Sequence, residues 1–280
     1  MIEKMKGFPP CRVINLRECE DRRQYMQTEF ARLGITDYQI DQYERFEKGD
    51  IDVIGEPDVL DTIDLGPTTS HLMTIKKWYE ETDDEMVAIF EDDCDFGVID
   101  LWPFKFQELL DRMGPLWDGI SLCVMHEGWP VMYPRHRNGF DHGLQCYIIK
   151  RHYAKKIIDW YFYDKRTVHF KMPYITRQAA PKDGPRSGDF KKWPATIENV
   201  VFGLGYFYIY PIFNHAIHKF PTTTEHCDAN GDYENVAERS YDYIYEWWRK
   251  KGQHATLDQL FDYDWCCSGN QTFNNVMPID

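Results

Sequence analysis

Hydrophobic and polar positions along the chain follow two periods. Short runs rich in β-branched and aromatic residues mark strands at 12–16 (RVINL), 38–43, 86–90 (MVAIF), 119–125, 145–149 and 206–213 (YFYIYPIF). Between them, apolar residues recur at helical spacing. Met26, Phe30 and Leu33 set a helix over 18–33 that Gly34 stops. Leu72, Ile75 and either Trp78 or Tyr79 set a second, with Thr68, Thr69 and Ser70 offering N-cap oxygens at its start. Residues 103–113, 152–161 and 240–251 (SYDYIYEWWRKK) read as further helices, and 47–66 and 167–193 as loops. Strands alternating with helices predict an α/β fold. The shift to aromatic and charged residues after Pro221 predicts a main unit over 1–220 and a helical or irregular extension over 221–280 packed on it.

The strand at 86–90 runs into Glu91, Asp92, Asp93 and Asp95. Like charges this close repel and raise one another's pKa. A hard divalent cation, Mn²⁺ or Mg²⁺, relieves that cost, because it favours carboxylate oxygen and keeps positions open for phosphate. The end of a central strand is also where open α/β sheets bind ligands. Residues two apart on an extended chain point the same way, so Glu91 pairs with Asp93, and Asp93 with Asp95. Asp93 belongs to both pairs and is the expected direct metal ligand, with Asp95 or Glu91 as the second contact. The alternative is a solvated acidic turn.

Composition narrows the partners. Of 280 residues, 43% are hydrophobic, enough for a sizeable core. The formal charge is −14, from 32 basic and 46 acidic residues, which disfavours nucleic acid and anionic membrane surfaces. An anionic substrate therefore needs a bound cation or a local basic patch. No apolar run reaches the length of a membrane span, and the first 16 residues carry no apolar signal core. There are eight cysteines, with no C-x-x-C; in a chain this long without a signal core the expectation is reduced thiols in a cytoplasmic protein.

Four segments, in order, resemble glycosyltransferase family 25, the lipopolysaccharide and collagen galactosyltransferase type. They are Val13-Ile14-Asn15-Leu16 with Asp21-Arg22-Arg23, and Gly66-Pro67-Thr68-Thr69-Ser70-His71 with Trp78. Then come Phe90-Glu91-Asp92-Asp93 and Gly143-Leu144-Gln145-Cys146-Tyr147-Ile148-Ile149-Lys150-Arg151 with Ala154. The similarity covers residues 11–215. Lys150 stands where the family has a small hydroxyl residue, and Asp95 adds a charge the family often lacks. Residues 167–193 and the tail beyond Pro221 match nothing in it.

The resemblance implies a GT-A fold, a nucleotide-binding α/β sandwich with a central mixed sheet and a metal site at one strand end. It implies metal-dependent transfer of a sugar, galactose or glucose, from a UDP-sugar to a hydroxyl of a glycan or protein-linked acceptor, with inversion. Under it, Asn15, Arg22, Arg23, Ser70 and His71 contact the nucleotide, and Asp92 faces the ribose or donor sugar. His218 is favoured over His215 and His226 as a nitrogen ligand to the metal. Glu198 is favoured over Asp189 as general base. Trp129, Tyr133, Tyr174 and Trp193 offer faces for sugar stacking. Two other readings use the same residues: a catalytically silent nucleotide-sugar or glycan-binding module, and a nucleotidyltransferase.

Overall fold

The computed structural model describes residues 2–45, 52–55, 65–126, 130–137, 141–164, 167–170, 197–220 and 232–268. The chain order is β1 (Cys11–Leu16), α1 (Glu20–Leu33), β2 (Tyr38–Tyr43), β3 (Asp52–Gly55), α2 (Leu65–Glu81), β4 (Met86–Glu91) and β5 (Cys94–Asp95). There follow α3 (Phe106–Met113), β6 (Gly119–Ser121), β7 (Arg135–His136), β8 (Cys146–Lys150), α4 (Arg151–Tyr161) and β9 (Thr167–Phe170). Last come α5 (Ile197–Phe202), β10 (Phe207–Ile209), β11 (Asn214–His215), α6 (Asp232–Lys250), α7 (Leu257–Leu260) and α8 (Tyr263–Cys267).

A seven-stranded mixed sheet, ordered β2-β1-β4-β8-β6-β10-β7, forms the centre. Strands β2, β1 and β4 are parallel, β8 runs against β4 and β6, β10 is parallel to β6, and β7 is an antiparallel edge. The sheet is buried on both faces, which explains why β4 and β8 read as unbroken apolar runs. On one face Ala88, Phe90, Cys146 and Ile148 join Phe30 of α1, Phe106 of α3 and Trp247 and Trp248 of α6. On the other, Val87, Ile89, Tyr147 and Ile149 meet Leu72, Ile75 and Trp78 of α2, Tyr153 and Ile157 of α4, and Val200 of α5. Strand alternation deals these residues to the two cores. The expected α/β class with a central mixed sheet and flanking helices is thus observed.

Several elements differ from their sequence signals. Helix α2 begins at Leu65, so Thr68–Ser70 lie inside it and cap nothing. The Thr69 and Ser70 hydroxyls turn back on the helix instead: Thr69 Oγ1 donates to the Leu65 carbonyl at 2.6 Å and Ser70 Oγ to the Gly66 carbonyl at 3.0 Å. The expected loops at 47–66 and 167–193 contain β3 and β9, which pair with each other in parallel. The expected strand 206–213 ends at Ile209, because the chain crosses over at Pro211, which has no N–H to give the ladder. After it, the Ile212 and Phe213 amides both donate to the Leu122 carbonyl at 2.9 Å, and this crossing also ends β6 at Ser121. Helix α6 is longer than its pattern. No helix among the described residues is long and apolar enough to cross a membrane.

Two glycines are needed where they stand. Gly34 ends α1 in the left-handed region at φ 68°, its amide bonded to Ala31. At Gly119 a Cβ would lie 2.2 Å from the Phe207 ring and 2.6 Å from the Ile148 carbonyl oxygen. Gly119→Ala is therefore expected to cost about 1–3 kcal/mol by overpacking. In urea unfolding, the midpoint should fall without a change of slope.

Candidate functional site

Strand β4 ends at Glu91, and the chain then turns at Asp92 and Asp93 before β5. The turn breaks the alternation that an extended chain would have kept. Glu91 goes to the α2 face, where its Oε1 meets His71 Nε2 at 3.0 Å. His71, 1% exposed, meets the Tyr147 hydroxyl through Nδ1 at 2.9 Å. Asp92 and Asp93 turn toward α1. Arg22 Nη1 donates to Asp92 Oδ1 at 3.1 Å and to Asp93 Oδ2 at 2.9 Å. Asn15 Nδ2 donates to Asp92 Oδ2 at 2.7 Å, and Arg23 in turn holds Asn15 Oδ1 at 3.1 Å.

The pairing of β11 with β5 sets His215 opposite Cys94 and brings its Nε2 to 3.3 Å from Asp93 Oδ2. The Ala216 amide donates to the Asp93 carbonyl at 2.7 Å, so the segment after β11 lies along the turn. From the α5 side comes Glu198, buried, with Oε1 accepting the Gly143 amide at 3.0 Å and His142 Nδ1 3.8 Å away.

The electrostatics follow from burial. Four carboxylates, Glu91, Asp92, Asp93 and Glu198, share this region with Arg22 and His215. Burial, then the Asp93 charge, pushes the Glu91 carboxyl up to about 8. The same two causes push Asp92 up to about 6, against the pull of Arg22 and Asn15. Burial would raise Asp93 too, but His215 and Arg22 outweigh it and hold Asp93 below its ordinary value. His215 is raised, since Asp93 overcomes the burial that alone would lower it. Glu198 is held low by His142, the Gly143 amide and Arg137 against its burial. His71 falls to about 3 because it is buried, so it is a neutral hydrogen-bonding link at working pH.

A stability prediction follows for the protein in chelator. A carboxyl whose folded pKa lies above its unfolded value stabilises the fold fully below the unfolded pKa, and loses that stabilisation as pH rises through the folded one. For Glu91 the window runs from about 4.5 to about 8. Glu91→Gln should therefore gain stability relative to wild type as pH rises across that window, in urea midpoints taken from pH 5 to 9. A constant difference across it contradicts the assignment.

The residues present suit a hard cation in their chemistry. Asp93 Oδ1 is buried without a hydrogen-bond partner, as is Nδ1 of His215. An orphaned buried acceptor carries a desolvation penalty that a cation removes. Among the described residues, however, no three His, Cys, Asp or Glu side chains already converge to hold a metal ion.

Other expected site residues lie elsewhere. Asp95 has other partners: its Oδ1 accepts the Gly97 amide at 2.8 Å and its Oδ2 is ion-paired with Lys219. His218 packs on Tyr241 and stands 3.8 Å from Asp242, while His215 reaches the cluster in its place. Ser70 is spent within α2. Asn15, Arg22 and Arg23 direct the donors described above to the acidic turn and its supports. Tyr133 packs edge-on against Tyr263. Asp189, Trp129, Tyr174, Trp193 and His226 lie outside the described residues. Tyr147, given above only as part of the Gly143–Arg151 segment, joins the site through His71.

No protein-family model matches the chain, and neither does any curated protein sequence. Among solved structures, A197 from STIV is 11% identical with a TM-score of 0.38, over 73% of this chain and 83% of that one. A glycosyltransferase involved in the glycosylation of the major capsid of PBCV-1 is 10% identical with a TM-score of 0.31, over 58% of this chain and 83% of that one. Similarity at this level carries no argument about chemistry.

Proposed function

We propose that the protein is a glycosyltransferase of GT-A type that moves a sugar from a nucleotide-sugar donor, a UDP-sugar first among them, to a hydroxyl acceptor with inversion. The observation that carries the reading is the buried carboxylate cluster at the carboxyl end of β4, with Asp93 Oδ1 unpartnered. The four ordered motifs that resemble family 25 supply the reaction class.

Asp93, whose Oδ1 is unpartnered, would hold Mn²⁺ or Mg²⁺, with Glu91, whose carboxyl feels the Asp93 charge from the α2 side, as the candidate second contact. When bound, such an ion supplies Lewis-acid neutralisation of a leaving diphosphate. The protein's own residues do the rest. Asn15 and Arg23 fix Asp92 from one side, and Arg22 ties it to Asp93. His71, itself held by the Tyr147 hydroxyl, anchors Glu91. Glu198, kept ionised by His142 and the Gly143 amide, is the proton acceptor for the incoming hydroxyl.

The test is a thermal-shift panel of UDP, UDP-sugars, CMP-sugars and nucleoside triphosphates with and without Mn²⁺, followed by donor hydrolysis. A binder specific to the native state raises the melting temperature by mass action. A Mn²⁺-dependent shift with UDP or a UDP-sugar, together with slow donor hydrolysis, is the expected result. Shifts with triphosphates alone would move the reading to nucleotidyl transfer. Binding without hydrolysis or transfer would leave a binding module.

A further inference from the structure

Arg22 stands between the two carboxylates that define the turn. Its Nη1 lies 3.1 Å from Asp92 Oδ1 and 2.9 Å from Asp93 Oδ2, its side chain is 5% exposed, and its guanidinium sits over the Phe220 ring at 5.4 Å. Asn15 closes the second Asp92 oxygen at 2.7 Å. Of the four Asp92 and Asp93 carboxylate oxygens, only Asp93 Oδ1 is buried with no partner. A guanidinium thus bridges the carboxylates that a divalent cation would have to draw together.

We propose that Arg22 is a displaceable counter-ion. It holds Asp92 and Asp93 in the cation-free protein, gives up Asp93 when a divalent cation takes that carboxylate, and then binds the anionic diphosphate beside the cation. The inference rests on the reading of this cluster as a metal–diphosphate site. Its physical basis is competition. Two cationic groups cannot share one buried carboxylate edge without strong repulsion in a low-dielectric site. Asp92 keeps Asn15 when Arg22 leaves, so one arm of the turn stays fixed. A guanidinium is also the side chain best shaped to exchange a carboxylate for a phosphate, since both accept its planar fork. Cation and diphosphate should then bind with positive coupling, each favouring the state in which Arg22 has moved.

The test measures binding to the full chain, not activity. Mn²⁺ affinity is read by electron paramagnetic resonance, and pyrophosphate affinity by calorimetry at saturating Mn²⁺, for wild type, Arg22→Gln and Arg22→Lys. Arg22→Gln should bind Mn²⁺ alone about tenfold tighter or more, because a charge-assisted hydrogen bond no longer has to be broken. The same variant should bind pyrophosphate about tenfold more weakly or worse, for loss of the guanidinium. Opposite shifts of the two affinities are what a merely structural arginine would not produce. Circular dichroism checks folding. If the Gln variant does not fold, Arg22→Lys carries the test, since a single ammonium bridges the two carboxylates poorly and should shift both affinities in the same directions. Mn²⁺ affinity equal to or below wild type in the folded variant overturns the counter-ion role and leaves the metal site standing. Mn²⁺ binding to neither protein overturns both.

Discussion

Asp93→Asn is expected to lower kcat/KM for sugar transfer by about a thousandfold or more, the scale of losing several kcal/mol of metal-ion stabilisation in the transition state. Asp93 is the residue where the cluster's interactions meet. It accepts from Arg22 and stands against His215, its Oδ1 has no partner, and its charge is the second cause, after burial, of the raised Glu91 pKa. An amide keeps the size of the side chain but loses the charge and one acceptor. The Mn²⁺-dependent thermal shift with UDP should vanish with the activity. Unchanged UDP affinity at fixed Mn²⁺ would remove the metal from Asp93. Because the Ala216 amide bonds the Asp93 backbone carbonyl and not the side chain, the turn should survive the substitution. A far-ultraviolet circular dichroism spectrum like that of wild type checks this.

Glu198→Gln is expected to lower kcat by about a hundredfold or more, the usual range for loss of a general base. Donor affinity should barely change, because a base acts on the acceptor proton in the transition state. The substitution is a clean one here. Glu198 Oε1 accepts the Gly143 amide, and a glutamine carbonyl can still accept it, so the positive-φ backbone at Gly143 keeps its support. Glu198 is held ionised by His142, the Gly143 amide and Arg137, so its state should not change over the neutral range. Steady-state kinetics and UDP-sugar binding, measured on Glu198→Gln and Asp189→Asn together, decide between the two carboxylates. Near-full transfer by the first with loss in the second moves the role to Asp189. Full transfer by both places the base elsewhere.

The parts of this protein that the sequence determined are those set by local rules. Period-2 and period-3.6 patterning located β1, α1, β2, β4 and β8 to within a residue or two, because each needs only its own alternation of apolar positions and, for α1, a glycine able to adopt φ 68°. The acidic run after β4 was also visible, since a strand that stops in carboxylates is a local charge anomaly. What surrounds those carboxylates was not visible. The two-residue spacing that joined Asp95 to Asp93 assumed an extended chain, and the turn at Asp92–Asp93 broke it, delivering Asp95 to Lys219. Which of the two described candidate histidines meets Asp93 was set by strand pairing far along the chain: β11 against β5 sets His215 at Asp93 and leaves His218 beside Tyr241. Arg22, at the start of α1, is buried because that end of the helix packs against a turn 70 residues away. Patterning fixes which way a side chain faces on its own element. Which charged group meets which is a property of the packed tertiary structure, because burial makes those meetings strong and only the fold decides what is buried together.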